Sequence, residues 1–194
     1  MQPSAPALRR RALIGLAAAP LLLGPDPGRA AGTTAAVEMA APGGRDRAVT
    51  LHHLHTGETA RLVYHAGGRY LPEALRVADR LLRDWRADRA RSTDPALLDL
   101  LWELRRRLET DAPIEILCGY RTPETNDLLR RRGGRRSGVA RDSLHTRGMA
   151  VDLTIPGRPL RAVRTAALSL RRGGVGYYPG TGFVHLDTGP VRAW

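Results

Sequence analysis

The chain has 194 residues, 31 basic and 19 acidic, giving a formal net charge of +12, and every basic residue is Arg. That length suits one domain with a real hydrophobic core, and 42% apolar content argues against a wholly disordered chain. A single Cys excludes an intramolecular disulfide and a zinc site built from several thiolates.

Arg9, Arg10 and Arg11 precede an uncharged apolar run from Ala12 to Leu23. The run is too short to span about 30 Å of hydrocarbon as a helix and matches the core of an export signal. The Arg10-Arg11 pair before it reads as a twin-arginine signal over residues 1–30, cut after Ala30. Its removal takes away four Arg and one Asp and leaves a charge of +9. The expected location is the periplasm or cell envelope, with no transmembrane anchor once the signal is gone. There the acidic partner implied by the charge is wall material, not nucleic acid. The Arg-rich stretch Arg130 to Arg141 also lacks the interleaved aromatics of a nucleic-acid face. The remaining Arg excess reads either as affinity for wall polymer or as coding bias.

Residues 31–46 read as a flexible lead-in and 47–194 as the folded domain. Val49 to His55 and Thr59 to His65, around Thr56-Gly57-Glu58, predict a β-hairpin. Pro72 opens a helix whose stripe is Leu75, Ala78, Leu81, Leu82 and Trp85. Thr93-Asp94-Pro95 caps a second, with Leu97, Leu98, Leu101, Leu104 and Leu108 as its buried face. Pro113 to Cys118 is a short strand, and Gly119-Tyr120-Arg121-Thr122 leads into a helix near Pro123. Arg130 to Arg141 reads as a surface loop. Met149 to Ile155 is a strand, Pro159 to Arg172 a helix stopped by Gly173-Gly174, and Val175 to Tyr178 and Phe183 to Asp187 two final strands. The expected class is α+β: a small antiparallel sheet carrying a metal site, with helices packed against it.

Two segments carry the chemistry. His145 precedes a strand that holds Asp152, and a later strand puts Phe183, His185 and Asp187 on one face. Two His and one carboxylate make a three-ligand zinc site with a fourth position for water. Cys118 reads as a small buried hydrophobe, and His52, His53, His55 and His65 as surface or fold residues.

The pattern Ser143-x-His145-x-x-Gly148-x-Ala150-x-Asp152, followed by His185, resembles the zinc D-alanyl-D-alanine peptidase and hedgehog-like superfamily. The tail from Gly174 to Trp194 and the hairpin Leu54-His55-Thr56-Gly57-Glu58 resemble the YcbK-like family of murein endopeptidases within it, over roughly residues 47–194. The resemblance implies zinc held by His145, Asp152 and His185. It implies a substrate contact from Tyr120, a catalytic and substrate-binding role for Arg121, whose fork suits a carboxylate, and either substrate binding or support of the ligand strand for Ser143. The implied substrates are peptidoglycan stem peptides and cross-links. The implied activity is zinc-dependent cleavage of wall cross-links; the alternatives are a stem-peptide carboxypeptidase or a non-catalytic wall-binding domain that keeps the metal. Many relatives place Glu three residues before the last His, or His two before it. Here those positions are Gly182 and Phe183. Asp187 is left as the candidate catalytic base, with orientation of His185 as its other role.

Overall fold

The computed structural model describes residues 37–38, 46–133 and 138–194. The export signal expected over residues 1–30, nearly all of the lead-in and the middle of the Arg130 to Arg141 stretch lie outside them.

The hairpin forms as its pattern predicts. After a two-residue strand β1 (Val37–Glu38), β2 (Arg47–His53) and β3 (Thr59–Ala66) pair antiparallel, with Val49 opposite Leu62 and Leu51 opposite Ala60. A short β4 (Arg69–Tyr70) folds back on β3. Helix α1 (Pro72–Leu81) has Pro in its first turn and ends before the predicted stripe does. Leu82 is still buried, but Trp85 falls in the loop beyond, stacked on His55 with ring centroids 4.5 Å apart. Helix α2 (Pro95–Arg107) is capped by Asp94, whose carboxylate accepts the Ala96 N–H at 3.0 Å.

β5 (Ile114–Cys118) and α3 (Pro123–Gly133) follow, so helix takes in the first residues of the expected Arg-rich loop. His145 sits in a 3-10 turn (Leu144–Arg147) before β6 (Ala150–Thr154). Helix α4 (Leu160–Ser169) is shorter than predicted. Arg171 and Gly173, with φ of 52° and 65°, turn the chain into β7 (Gly174–Tyr178) and then β8 (Phe183–Asp187) and β9 (Arg192–Ala193).

The α+β class holds, but the sheet is neither small nor wholly antiparallel. Among the described residues it has nine strands in the order β1-β3-β2-β5-β6-β8-β7-β9, with β4 beside β3. The β1·β3, β2·β5 and β7·β9 pairs are parallel. The helices α1 and α2 lie between β2 and β5 in the chain, and such a crossover returns it in the same direction. Strands of two residues leave no hydrophobic period to read.

Alternation along the strands divides the sheet into two faces. Leu51, Ile116, Val151, Leu153, Val184 and Leu186 point into one core with Ala78 of α1, Leu97 and Leu101 of α2 and Val163 of α4. Burying each Leu or Val stabilises the fold by about 1.5–3 kcal/mol. The intervening residues of β6 and β8, Asp152, His185 and Asp187, are turned to the opposite face.

One polar group is set into the helix layer. Asp99 of α2, buried, accepts from the Tyr64 hydroxyl at 2.9 Å and the Tyr70 hydroxyl at 2.7 Å, and pairs with Arg47 at 2.7 Å. Burial alone would raise its pKa; hydrogen bonds from Arg47, Tyr70 and Tyr64 outweigh it and hold the carboxyl below the usual range. A depressed folded pKa stabilises the protein above the unfolded carboxylate pKa, and that stability is lost as pH falls through the folded value. Replacing Asp99 with Ala should leave the Tyr64 hydroxyl unpaired and cost about 2 kcal/mol at neutral pH. Thermal unfolding should show a Tm lower by about 4–8 °C. The difference from wild type should narrow below about pH 4.

Candidate active site

The strand register brings the distant residues together. In the β6·β8 pair Asp152 lies directly opposite His185, and Ala150 opposite Asp187. The 3-10 turn delivers His145 from the side and ends at Gly148, whose φ is 72°. A Cβ on Gly148 would collide with the Ser92 carbonyl oxygen, so only glycine allows this approach to the α2 cap. The Gly148 carbonyl also accepts the Asp94 N–H at 2.9 Å.

Three ligand atoms then converge. His145 Nε2 is 3.1 Å from His185 Nδ1 and 3.2 Å from Asp152 Oδ1, and His185 Nδ1 is 2.9 Å from the same Oδ1. The far nitrogen of each ring is already committed. His145 Nδ1 faces the Gly119 carbonyl oxygen at 2.7 Å, which only accepts, so this nitrogen carries the proton. His185 Nε2 faces the Asp187 carboxylate at 2.9 Å and donates to it. With both rings neutral, two bare nitrogen lone pairs and a carboxylate oxygen face one another. Such a set calls for a cation. Nitrogen and oxygen ligands about 2.0–2.1 Å from a tetrahedral zinc lie about 3.3 Å apart, close to the spacing found here. The donors therefore fit a divalent metal, and both imidazoles have the outer hydrogen-bond acceptor typical of metal-bound His.

The same contacts shift the pKa values, for His185 towards the protonated ring. Burial works against the charge on Asp152, but His145 and His185 hold its carboxyl far below the usual range. His145 is lowered, chiefly by burial. For His185 burial is outweighed by hydrogen bonds to Asp152 and Asp187, and its pKa rises. Cys118 is the other potential donor, its Sγ lying within 4.8 Å of ligand atoms of His145 and Asp152. Burial pushes its thiol up to about 12, and the thiol faces the Gly119 carbonyl at 3.7 Å.

Asp187 is fully buried and fully occupied. Oδ1 accepts from the Gly174 N–H at 3.0 Å, the Gly189 N–H at 2.8 Å and Arg192 Nη1 at 3.1 Å. Oδ2 accepts from Arg192 Nη2 at 2.7 Å and His185 Nε2 at 2.9 Å. Five donors meet a group with about four lone-pair sites.

The three converging atoms open on a cavity of about 350 Å³. Arg121 and Ser143 line it, as do Asp142, Tyr178, Phe183, Arg192 and Trp194. Arg121 is buried; its Nη2 lies 3.9 Å from Asp152 Oδ2 and its Nε has no partner. Ser143 supports the turn: its carbonyl accepts the Thr146 N–H at 3.0 Å and the Thr146 hydroxyl at 2.7 Å. Tyr120, expected to touch substrate, is instead buried and absent from the cavity wall, with its N–H on the Leu82 carbonyl at 2.7 Å. Strand and turn geometry aims neighbours apart, so Tyr120 faces the body while Arg121 faces the cavity. Asp142 and Arg192 escaped notice because neither belongs to a periodic pattern, although Asp142 directly precedes the Ser143 motif.

The model of a family described as peptidoglycan L,D-endopeptidase MepK (Peptidase_M15_2) matches residues 41–194. The chain belongs to this family. Among its curated relatives, peptidoglycan L,D-endopeptidase MepK of Escherichia coli (strain K12) is 46% identical over 150 residues, covering 77% of this chain and 81% of the relative. The probable peptidoglycan L,D-endopeptidase MepK of Haemophilus influenzae is 41% identical over 151 residues, covering 77% and 80%. No solved structure matches. The matched stretch includes both the Ser143-to-Asp152 motif and the tail through Trp194.

Truncating Asp187 to Ala should remove the acceptor of His185 Nε2 and lower metal affinity about 10- to 100-fold. Competition against a chromogenic chelator measures it directly.

Proposed function

We infer that the chain is a peptidoglycan endopeptidase of the metallopeptidase type, working in the cell envelope. The observation that carries this reading is the convergence of His145 Nε2, Asp152 Oδ1 and His185 Nδ1 at the floor of an open cavity. The resident metal on this reading is zinc, which those three atoms would hold. Bound there, zinc supplies a Lewis acid for the scissile carbonyl and lowers the pKa of its water to about 7.

The protein's own groups do the rest. Gly119 O and Asp187 hold the two imidazoles in their ligating tautomers. Asp187 has no free lone pair to take a proton from water, so we assign it to orienting His185 and not to base catalysis. Arg121, which lines the cavity beside Asp152, binds a substrate carboxylate. Ser143 positions the His145 turn through its carbonyl. Tyr178, Phe183 and Trp194 provide an apolar wall for the peptide; the first two stack with centroids 4.6 Å apart, and Trp194 Nε1 donates to the Tyr178 hydroxyl at 2.7 Å.

Two cross-link bonds are candidates, between D-Ala and diaminopimelate and between two diaminopimelates. The relatives' L,D designation favours the second, in which an L-centre carbonyl is joined to a D-centre amine. Residues 1–30 bring the chain to the envelope as a twin-arginine signal. No helix among the described residues is long and apolar enough to cross a membrane.

Zinc-loaded protein incubated with purified sacculi should convert dimers joined between diaminopimelates into monomers on muropeptide chromatography. His145→Ala should abolish the conversion. Unchanged dimers despite stoichiometric zinc would leave a wall-binding domain, and release of terminal D-Ala alone would mark a carboxypeptidase. The ligand set is checked separately by metal analysis. His185→Ala should lose zinc, whereas Cys118→Ser should retain one equivalent; the reverse result makes Cys118 the third ligand.

A further inference from the structure

The Gly119-to-Thr122 segment touches the site twice, through the Gly119 carbonyl on His145 and through the Arg121 side chain. Its other side is fastened to a loop that follows α1 and includes Asp84. The Tyr120 N–H reaches the Leu82 carbonyl at 2.7 Å. Asp84, 1% exposed, uses one oxygen for two bonds from Thr122: the backbone N–H at 2.9 Å and the hydroxyl at 3.0 Å. Its other oxygen accepts the Arg86 N–H at 3.1 Å. Both oxygens are thus aimed by the backbone and make no contact with the cavity.

The loop is itself braced. Arg83 reaches Glu58 of the hairpin at 2.5 Å and Asp88 at 2.6 Å, and Trp85 stacks on His55. The Leu54-to-Glu58 hairpin is the abutment of this loop, which gives its His and Glu residues a mechanical role.

We propose that Asp84 is a positioning residue for substrate binding, acting through Thr122 on Arg121. Arg121 stands between two fixed points: its own N–H on the His145 carbonyl at 3.1 Å, and the Asp84 carboxylate on the next residue. A buried guanidinium with a long stem needs its backbone held if its fork is to meet a carboxylate in one geometry. The Gly119 end is held separately by the Leu82 carbonyl, so loss of Asp84 loosens Arg121 and spares the metal ligands. The inference rests on the reading of Arg121 as the carboxylate binder.

A double-mutant cycle on a purified cross-linked muropeptide dimer tests it, with zinc content measured for each variant. Asp84→Ala should raise KM about tenfold, change kcat by less than about threefold and keep one zinc. In the Arg121→Ala background the same substitution should change KM by less than about twofold. Asp84→Asn, which keeps an oxygen for Thr122, should restore KM to within about threefold of wild type. Equal effects of Asp84→Ala in both backgrounds, or loss of zinc with collapse of kcat, overturn the proposal. An Arg121→Ala variant with unaltered KM overturns instead the carboxylate reading beneath it. Should Asp84→Ala not fold, Thr122→Val runs the same cycle: it removes one of the two bonds and should raise KM about threefold only when Arg121 is present.

Discussion

Three acceptor atoms within 3.2 Å of one another are the constraint around which this protein is arranged. Left to themselves, two neutral imidazole lone pairs and a carboxylate repel. They stay together because each is pinned from behind, His145 by the Gly119 carbonyl, His185 by Asp187, and Asp152 by its register in the sheet. A divalent cation between them would satisfy both lone pairs and the carboxylate at once, which suits a metal-dependent peptidase.

The sheet makes this possible by separating two environments on the same strands. Val151, Leu153, Val184 and Leu186 anchor β6 and β8 in a dry core, so the alternate residues emerge at fixed spacing on the other face. Space for them comes from small neighbours. A Cβ on Gly174 would lie 2.6 Å from Arg192 Nη1, and one on Gly176 would lie 2.8 Å from the Trp194 ring. Those glycines admit the Arg192 and Trp194 side chains, which close one side of the cavity. The cap of α2 reaches the same region, since Asp94 also accepts the Thr188 hydroxyl at 2.7 Å. Helix layer and site are thereby linked next to Asp187.

The polar network also explains why single carboxylates carry different duties. Asp99 is bound by two phenols and an Arg and ties α2 to the sheet. Asp84 is bound by backbone N–H groups and a hydroxyl and ties two loops together. Asp187 is saturated and holds His185; Asp152 turns Oδ1 to both imidazoles and Oδ2 toward Arg121. Chemistry is the same in all four, and hydrogen-bond partners decide the role.

Local signals were strong enough to be read from the sequence. They comprised the hairpin around Gly57, the Asp94 cap with Pro95 and the leucine stripe of α2. Each depends on contacts within a few residues or on a period of 2 or 3.6, so no tertiary information was needed. The α+β class followed from the same signals, and the family resemblance from the Ser143-to-Asp152 motif with His185, the Gly174-to-Trp194 tail and the hairpin. What only tertiary structure decided were relations between distant segments: the parallel β2·β5 pairing, the nine-strand extent of the sheet, the opposition of Asp152 to His185, and the five donors on Asp187. The same holds for the buried place of Tyr120 beside the cavity-facing Arg121, and for Asp84 behind Thr122. A carboxylate looks alike in sequence whether it is saturated, free or bound to metal, because its partners come from elsewhere in the chain; folding brings them within 3 Å, and that proximity sets its function.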